Sequence, residues 1–345
     1  SKKIADIVKE EKLILVAQKI PNFVKSTEIE KKKAYLLGSI LSEGCISLTN
    51  RRGRVQFIQK PTQEKKEFIG TVIKYMGDVY DTKDPSIYEK NDSGFIRGRQ
   101  VIGSANSYSW FSKAVATDMV LQRETLVENM LLADKEVLFN FLAGFIDGDG
   151  TYNHNFNRIN IYCSKNPLLK AIIIACLRLG IVPQVTENRT IHNIQIVEKV
   201  EEILQYTKRV KGDYNRICHG VRFFSAKQLL GDIGAKVNVG GKILPYIDNN
   251  LIIDSNKIDE KIIPICDESS KEELSRIMNS DLRMLRVNSN GCKGRVDVFN
   301  ITVQDNHNYI VFTNKLTPVL VENCHAAIVS REMGIPCTVG TEKAT

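Results

Sequence analysis

The chain lacks any run approaching the ~20 consecutive apolar residues of a membrane-spanning helix, so a helical membrane anchor is not expected. No secretory leader is expected from the segment seen. The opening SKKIADIVKEEKLILVAQKIP reads as a helix running into a strand, and with no initiator methionine the natural gene is expected to extend upstream. Its eight cysteines are scattered, with no CxxC pair and no Cys/His cluster at zinc spacing. That usage points to a reducing, cytoplasmic setting and to no structural metal. An acidic excess is missing too: 48 Lys+Arg against 40 Asp+Glu give +8, a balance that favours a polyanionic partner.

What the chain does contain is a duplication. YLLGSILSEGCI (Tyr35–Ile46) and FLAGFIDGDGTY (Phe141–Tyr152) match at Leu36/Leu142, Gly38/Gly144, Ile40/Ile146, Glu43/Asp149 and Gly44/Gly150, each pair 106 residues apart. Each segment is apolar, carries small residues four apart (Gly38 and Ser42; Gly144 and Gly148), and ends in an acid and a glycine. Positions i and i+4 share a helix face, so each segment offers a smooth stripe for close approach of another backbone. The acid then falls at the helix C-terminus, where the macrodipole disfavours it by roughly 0.3–1 kcal/mol. Pairing the helices on their glycines adds repulsion between Glu43 and Asp149. A divalent cation between the carboxylates accounts for an arrangement that structure alone does not recommend.

The stretches that follow are also duplicated. After the first motif come CISLTN, the basic turn Arg51-Arg52-Gly53-Arg54, VQFIQK, and a helical run Glu64–Met76 expected to stop at Gly77. After the second come TYNHN, a turn near Asn155–Asn157, RINIYC, and a helical run Pro167–Leu179 expected to stop at Gly180. DVYDTKD and GRQVIGS, then VPQVTEN and TIHNIQIV, read as further strands; Tyr108–Val115 and Glu198–Thr207 read as closing helices. Both halves thus read αββαββα, an α+β class with an internal repeat too long for a solenoid.

These motifs resemble the LAGLIDADG homing endonucleases, with LAGFIDGDG the fuller copy. The resemblance implies two pseudo-symmetric repeats whose sheets lie on double-stranded DNA, a monomer, and Mg²⁺ held by the acid beside each final glycine, Glu43 and Asp149. The first copy departs at Leu41, which stands where the second has Asp147, and at Glu43, which replaces an aspartate. Asp147 itself reads as solvent-facing or interdomain. On the hairpins, Arg51, Arg52, Arg54, Gln56, Lys60, Arg97 and Arg99 in the first half suit base edges and phosphates. So do Asn153, Asn155, Asn157, Arg158, Asn160, Arg189, His192 and Asn193 in the second. Taken singly, each is as readily a solvated face. Gln59 and Ser164, followed by Lys60 and Lys165, match a position where the family keeps a polar residue near the metals. The family's basic residue near the cleavage centre is not identifiable by motif.

The C-terminal third speaks of other chemistry. Arg295–Cys324 (RVDVFNITVQDNHNYIVFTNKLTPVLVENC) resembles the C-terminal splicing motifs of inteins, which implies an all-β Hint portion. His307 heads the His-Asn-Tyr slot and Asn323-Cys324 forms the junction. Asparagine cyclises through its side-chain amide, a cysteine thiol takes the upstream acyl group, and a histidine moves protons near neutral pH. Glu322 replaces the usual histidine and Asn300 an aspartate, and no N-terminal splicing block is seen, so splicing in cis is not expected. From Cys324 on, CHAAIVSREMGIPCTVGTEKAT resembles the phosphohistidine segment of the PEP-utilising enzymes, most like phosphoenolpyruvate synthase, with His325 as the phosphate carrier. The expected divisions are 1–27 (N-terminal Hint remnant), 28–116 and 117–208 (repeats), 209–280 (linker or accessory DNA-binding region), 281–323 (splicing segment) and 324–345 (host segment). Two alternatives stay open: a degenerate insert that only binds DNA, and a fragment whose relevant residue is His325.

Overall fold

The computed structural model describes residues 13–17, 25–96, 99–164, 166–188, 191–212, 223–225, 252–286, 303, 308–313 and 317–322. It falls into two units, one of Ser1–Gln18 with Val221–Thr345 and the other Lys19–Gly220. In the first, β1 (Leu13–Ala17) is a strand, as the opening of the sequence implies.

The second unit carries both repeats. α1 (Glu28–Glu43) starts at a capping box: Glu30 N donates to Thr27 Oγ1 at 3.3 Å, and Thr27 N donates to Glu30 Oε2 at 2.6 Å. The chain then turns into the hairpin of β2 (Gly44–Leu48) and β3 (Gly53–Gln59). Alternation sends Val55 and Phe57 inward and leaves Arg54 and Gln56 on the open face. A 3-10 turn (Gln63–Lys65) leads into α2 (Lys66–Tyr80), which runs past Gly77. The expected stop there is wrong: Asp81, at φ 50°, ends the helix by donating to the Gly77 carbonyl at 2.9 Å. β4 (Ser86–Ile96) and β5 (Arg99–Trp110) complete a sheet of order β2-β3-β5-β4. The expected helix Tyr108–Val115 is therefore helical only from Lys113. Its Ser-Tyr-Ser-Trp alternation extends β5, and α3 (Lys113–Glu124) begins only after the Ser112 N-cap, crossing the expected boundary at 116. α4 (Leu126–Leu132) links the repeats.

The second repeat follows the same order. α5 (Lys135–Asp149) is capped by Asp134, which also accepts Ser26 N at 2.5 Å. β6 (Gly150–Asn153), β7 (Arg158–Cys163), α6 (Asn166–Arg178), β8 (Gln184–Asn188), β9 (Ile191–Ile196) and the short α7 (Val200–Leu204) complete it. Its sheet has the order β6-β7-β9-β8, the counterpart of the first. Gly180, at φ 75°, ends α6 as expected. The apolar core of the first repeat gathers Tyr35, Phe57, Phe68 and Trp110 between helices and sheet, with Phe57 and Phe68 edge to face at 5.3 Å.

In the first unit, β10 (Phe223–Ser225), β11 (Ile252–Asp254), α8 (Glu268–Met278), β12 (Leu282–Arg286), β13 (Asn308–Phe312) and β14 (Pro318–Glu322) follow. The described strands of this unit join one antiparallel sheet, ordered β11-β10-β12-β1-β14-β13. β1 lies between C-terminal strands, with Leu15 opposite Met284 and Val16 opposite Val319. The helix-like QLLGDIGAK lies outside the described residues.

Candidate metal and nucleic-acid site

α1 and α5 meet along their glycines. A Cβ on Gly38 would overlap the Phe141 carbonyl and lie 2.8 Å from Phe145 N, and one on Gly144 would overlap the Tyr35 carbonyl. One on Gly148 would overlap the Ser42 hydroxyl and lie 2.9 Å from Glu43 Cγ. The last turns of the two helices are thus in contact at Gly148 and Glu43, and their final residues, Glu43 and Asp149, both act on Lys65.

A lysine that the motif does not reveal joins them. Lys65, in the turn after β3, lies in the field of both acids. Burial lowers its ammonium from the ordinary lysine range, Glu43 and Asp149 oppose that shift, and Arg209 adds to it. Lys65 Nζ donates to Gln59 Oε1 at 2.5 Å. Gln59 is 2% exposed, and its Nε2 is a buried donor without a partner among the described residues. Ser164, its counterpart after β7, is exposed.

Two carboxylates with a nearby orphaned amide donor suit a hard divalent cation, whose water would satisfy that donor. Among the described residues no group of three or more His, Cys, Asp or Glu gathers to enclose a metal. An ion held by Glu43 and Asp149 would need further oxygens from water or a bound phosphate.

Asp147 is not solvent-facing. It is 0% exposed at the helix interface, where Oδ2 accepts Tyr35 Oη at 2.6 Å and Lys208 N at 2.6 Å. Oδ1 accepts Arg209 N at 2.8 Å and Val210 N at 3.0 Å. Burial pushes the Asp147 carboxyl up, and the four donors hold it back. The departure at Leu41 now has a physical reading. Tyr35 and Asp147 pair across the interface; at the same 106-residue spacing their counterparts are Phe141 and Leu41, an apolar version of the same pair. Leu41 lacks any acceptor for a chain segment, whereas Asp147 captures three successive amides.

On the first sheet, Arg54 and Gln56 lie on the open face, Gln56 donating to Ser107 Oγ at 2.5 Å. Arg51 and Arg52 are exposed in the β2–β3 turn, and Lys60 is exposed beyond β3. On the second sheet, Arg158 donates through Nη1 to Gln195 Oε1 at 3.0 Å and lies over the Phe156 ring at 4.9 Å. Asn160 Oδ1, Asn193 Oδ1 and Arg158 Nε lack partners among the described residues. Asn153 also builds its turn: its Oδ1 accepts Asn155 N at 3.1 Å and Phe156 N at 3.3 Å. Asn157 has φ 42°, is buried, and accepts Tyr152 Oη at 2.7 Å. Asn155 is exposed at the tip, and His192 is half-buried on β9. Arg99 is placed on β5, opposite Ile96. Arg97, Lys165, Arg189, His307, Asn323, Cys324 and His325 lie outside the described residues.

Residues 136–211 match the LAGLIDADG-like domain family, and residues 322–345 match the mobile domain of PEP-utilising enzymes. A protein named "Probable phosphoenolpyruvate synthase" from Methanocaldococcus jannaschii is 31% identical over 358 residues, covering 99% of this chain. The chain spans 29% of that relative's length. Among solved structures, mesophilic variants of the homing endonuclease I-DmoI align at TM-score 0.39 and 14% identity, over 52% of this chain and 96% of theirs. The homing endonuclease I-WcaI bound to its DNA recognition sequence aligns at TM-score 0.38 and 18% identity, over 60% of this chain and 89% of its own. The two family matches and the relative fit an intein-like LAGLIDADG insertion in a phosphoenolpyruvate synthase.

Proposed function

We propose that Lys19–Gly220 is a monomeric two-repeat endonuclease that makes a site-specific, Mg²⁺-dependent double-strand cut in the host gene lacking the insert. The observation that carries this reading is that Glu43 and Asp149, at the ends of helices paired through their glycines, both act on Lys65, whose partner Gln59 has an Nε2 unpartnered among the described residues. Two acids at helix C-termini carry an electrostatic cost that a bound cation would offset. When bound, Mg²⁺ would polarise a phosphoryl oxygen and acidify a water.

The chain's own groups have distinct tasks. Glu43 and Asp149 would hold the ion, Gln59 Nε2 would orient a water by donating to its oxygen, and the Lys65 ammonium would stabilise charge developing on the phosphate. Arg51, Arg52, Arg54, Gln56 and Lys60 on one sheet, and Arg158, Asn160 and Asn193 on the other, would grip phosphates and read base edges. Arg97, Arg99, Asn155, Lys165 and Arg189 complete the proposed contacts, while Asn153 and Asn157 shape the turn that presents Asn155.

For the other unit we propose protein splicing, supported by the sheet that inserts β1 between β12 and β14. Asn323 would cyclise through its side-chain nitrogen, breaking its bond to the nitrogen of Cys324, with His307 moving the proton. His325 would be the phosphate carrier of the host enzyme. The test is digestion of a plasmid bearing the uninterrupted host junction, with Mg²⁺ or with EDTA. Linear product in Mg²⁺ alone is expected. An intact plasmid that still shifts on a gel would point to a DNA-binding relic.

A further inference from the structure

Past the second repeat the chain folds back on α5 as a strap. Tyr206 stacks on Phe139 at 5.0 Å and donates to both Glu136 carboxylate oxygens, at 2.9 and 3.0 Å. Thr207 Oγ1 contacts the Leu204 and Val210 carbonyls at 2.9 and 2.6 Å, pinching the strap into a tight turn. Asp147 then takes the three amides of residues 208 to 210.

This turn delivers Arg209 to the C-terminus of α5. Its Nη2 donates to the carbonyls of Ile146 at 2.9 Å, Gly148 at 3.0 Å and Gly150 at 2.7 Å. Its Nε donates to the Asp147 carbonyl. The final carbonyls of a helix have no partner within it, and a cation there complements the macrodipole. Here one guanidinium serves carbonyls on both sides of Asp149, the last residue of α5.

We propose that Arg209 is a positioning residue for the acid pair: the strap anchored by Asp147 carries its guanidinium onto the carbonyls flanking Asp149 and fixes where that carboxylate stands. The proposal rests on the reading of Glu43 and Asp149 as the metal acids, and it extends the active centre to a segment about sixty residues beyond the motif. Asp147 acts through the strap; Arg209 acts through the helix end. Neither touches the DNA in this account. The first repeat, with Leu41 at the matching position, has no acceptor to hold such a strap, so the two helix ends are supported differently.

The test uses the full chain with Arg209→Met and Arg209→Lys. Deuterium exchange of peptides spanning residues 142–152 reads the helix end without DNA or metal. Cleavage against Mg²⁺ concentration reads the ion requirement, and a gel shift in Ca²⁺ reads DNA affinity. For Arg209→Met, exchange of the 142–152 peptides is expected to quicken while the β7 peptide is unchanged. The Mg²⁺ concentration for half-maximal cutting should rise roughly 10–100-fold, the range found when groups behind metal ligands are removed, with DNA affinity retained. Arg209→Lys, one ammonium in place of a fork, should fall between. Unchanged exchange and Mg²⁺ requirement would overturn the proposal. Should Arg209→Met fail to fold, Asp147→Asn keeps the test: a parental Mg²⁺ requirement in that variant would equally overturn it. If the parent does not cut, the functional reading fails while the exchange comparison still decides whether Arg209 orders the helix end.

Discussion

Replacing Gly144 by alanine tests the helix interface with one methyl group. Its Cβ would overlap the Tyr35 carbonyl and lie 3.0 Å from Ser39 Oγ and from the Tyr35 carbonyl carbon. A rotamer change relieves a clash with a side chain but not with backbone, so α1 and α5 must separate. Overpacking of this kind costs typically 1–3 kcal/mol, and alanine's better helix propensity returns up to about 1 kcal/mol. Because the clash is backbone on backbone, a net loss of about 2 kcal/mol is expected. Gly70 is the control: it is exposed on α2 with nothing within 4 Å of its missing Cβ, so Gly70→Ala should gain about 0.5–1 kcal/mol. The assay is urea denaturation followed by fluorescence of Trp110, the only tryptophan and 4% exposed in the second unit, so the signal reports that unit. If both alanines stabilise alike, α1 and α5 do not pack through their glycines, and the convergence of Glu43 and Asp149 loses its basis.

Other perturbations separate the remaining parts. Asp147→Ala orphans three backbone amides and the Tyr35 hydroxyl, and should cost roughly 3–5 kcal/mol by the same fluorescence assay. In that background Tyr35→Phe should cost about 1 kcal/mol less than in the parent, the signature of a coupled pair. Lys65→Met should slow single-turnover cutting by roughly 10²–10³-fold with DNA affinity in Ca²⁺ little changed; an equal loss in both would make Lys65 a binding residue. Burial works against ionised Asp118, but Lys33 at 2.7 Å and Tyr80 at 2.7 Å outweigh it and hold its carboxyl below the usual range. A depressed carboxyl contributes stability that is present above its unfolded pKa and lost as pH falls through its folded one. Asp118→Asn should therefore remove roughly 1–2 kcal/mol near neutral pH and flatten the acid limb of a stability–pH curve. An unchanged limb would exclude the Lys33–Asp118–Tyr80 cluster as its source.

Legibility in the sequence followed the reach of the interactions. The glycine stripes, the terminal acids and the αββαββα order are local patterns, and each appears in the fold, although the third strand of the first repeat lies at Ser86–Ile96 and not at DVYDTKD, whose first three residues end α2. Boundaries failed where a residue has more than one use. Gly77 reads as a stop yet lies within α2, since Asp81 takes the left-handed position. Residues 108–110 read as helix although their alternation belongs to β5. Of the two settings expected for Asp147 the one between the repeats holds and the solvent-facing one does not; its partners, Tyr35 and residues 208 to 210, are far away in sequence and carry no motif. Lys65 went unseen because only the geometry of the turn after β3 brings it back to the acids. Asn153 and Asn157 illustrate another ambiguity: the residue type that reads bases also builds tight turns.

The acid pair bears the central claim, and two isosteric variants address it directly. Glu43→Gln and Asp149→Asn keep shape while removing the charge that a hard cation needs. Binding to the uninterrupted junction duplex in Ca²⁺ and cutting in Mg²⁺ are measured for each beside the parent. The account predicts that the parent binds and cuts on both strands, and that each variant still binds but fails to make the double-strand break. A variant pair that cuts like the parent would contradict it.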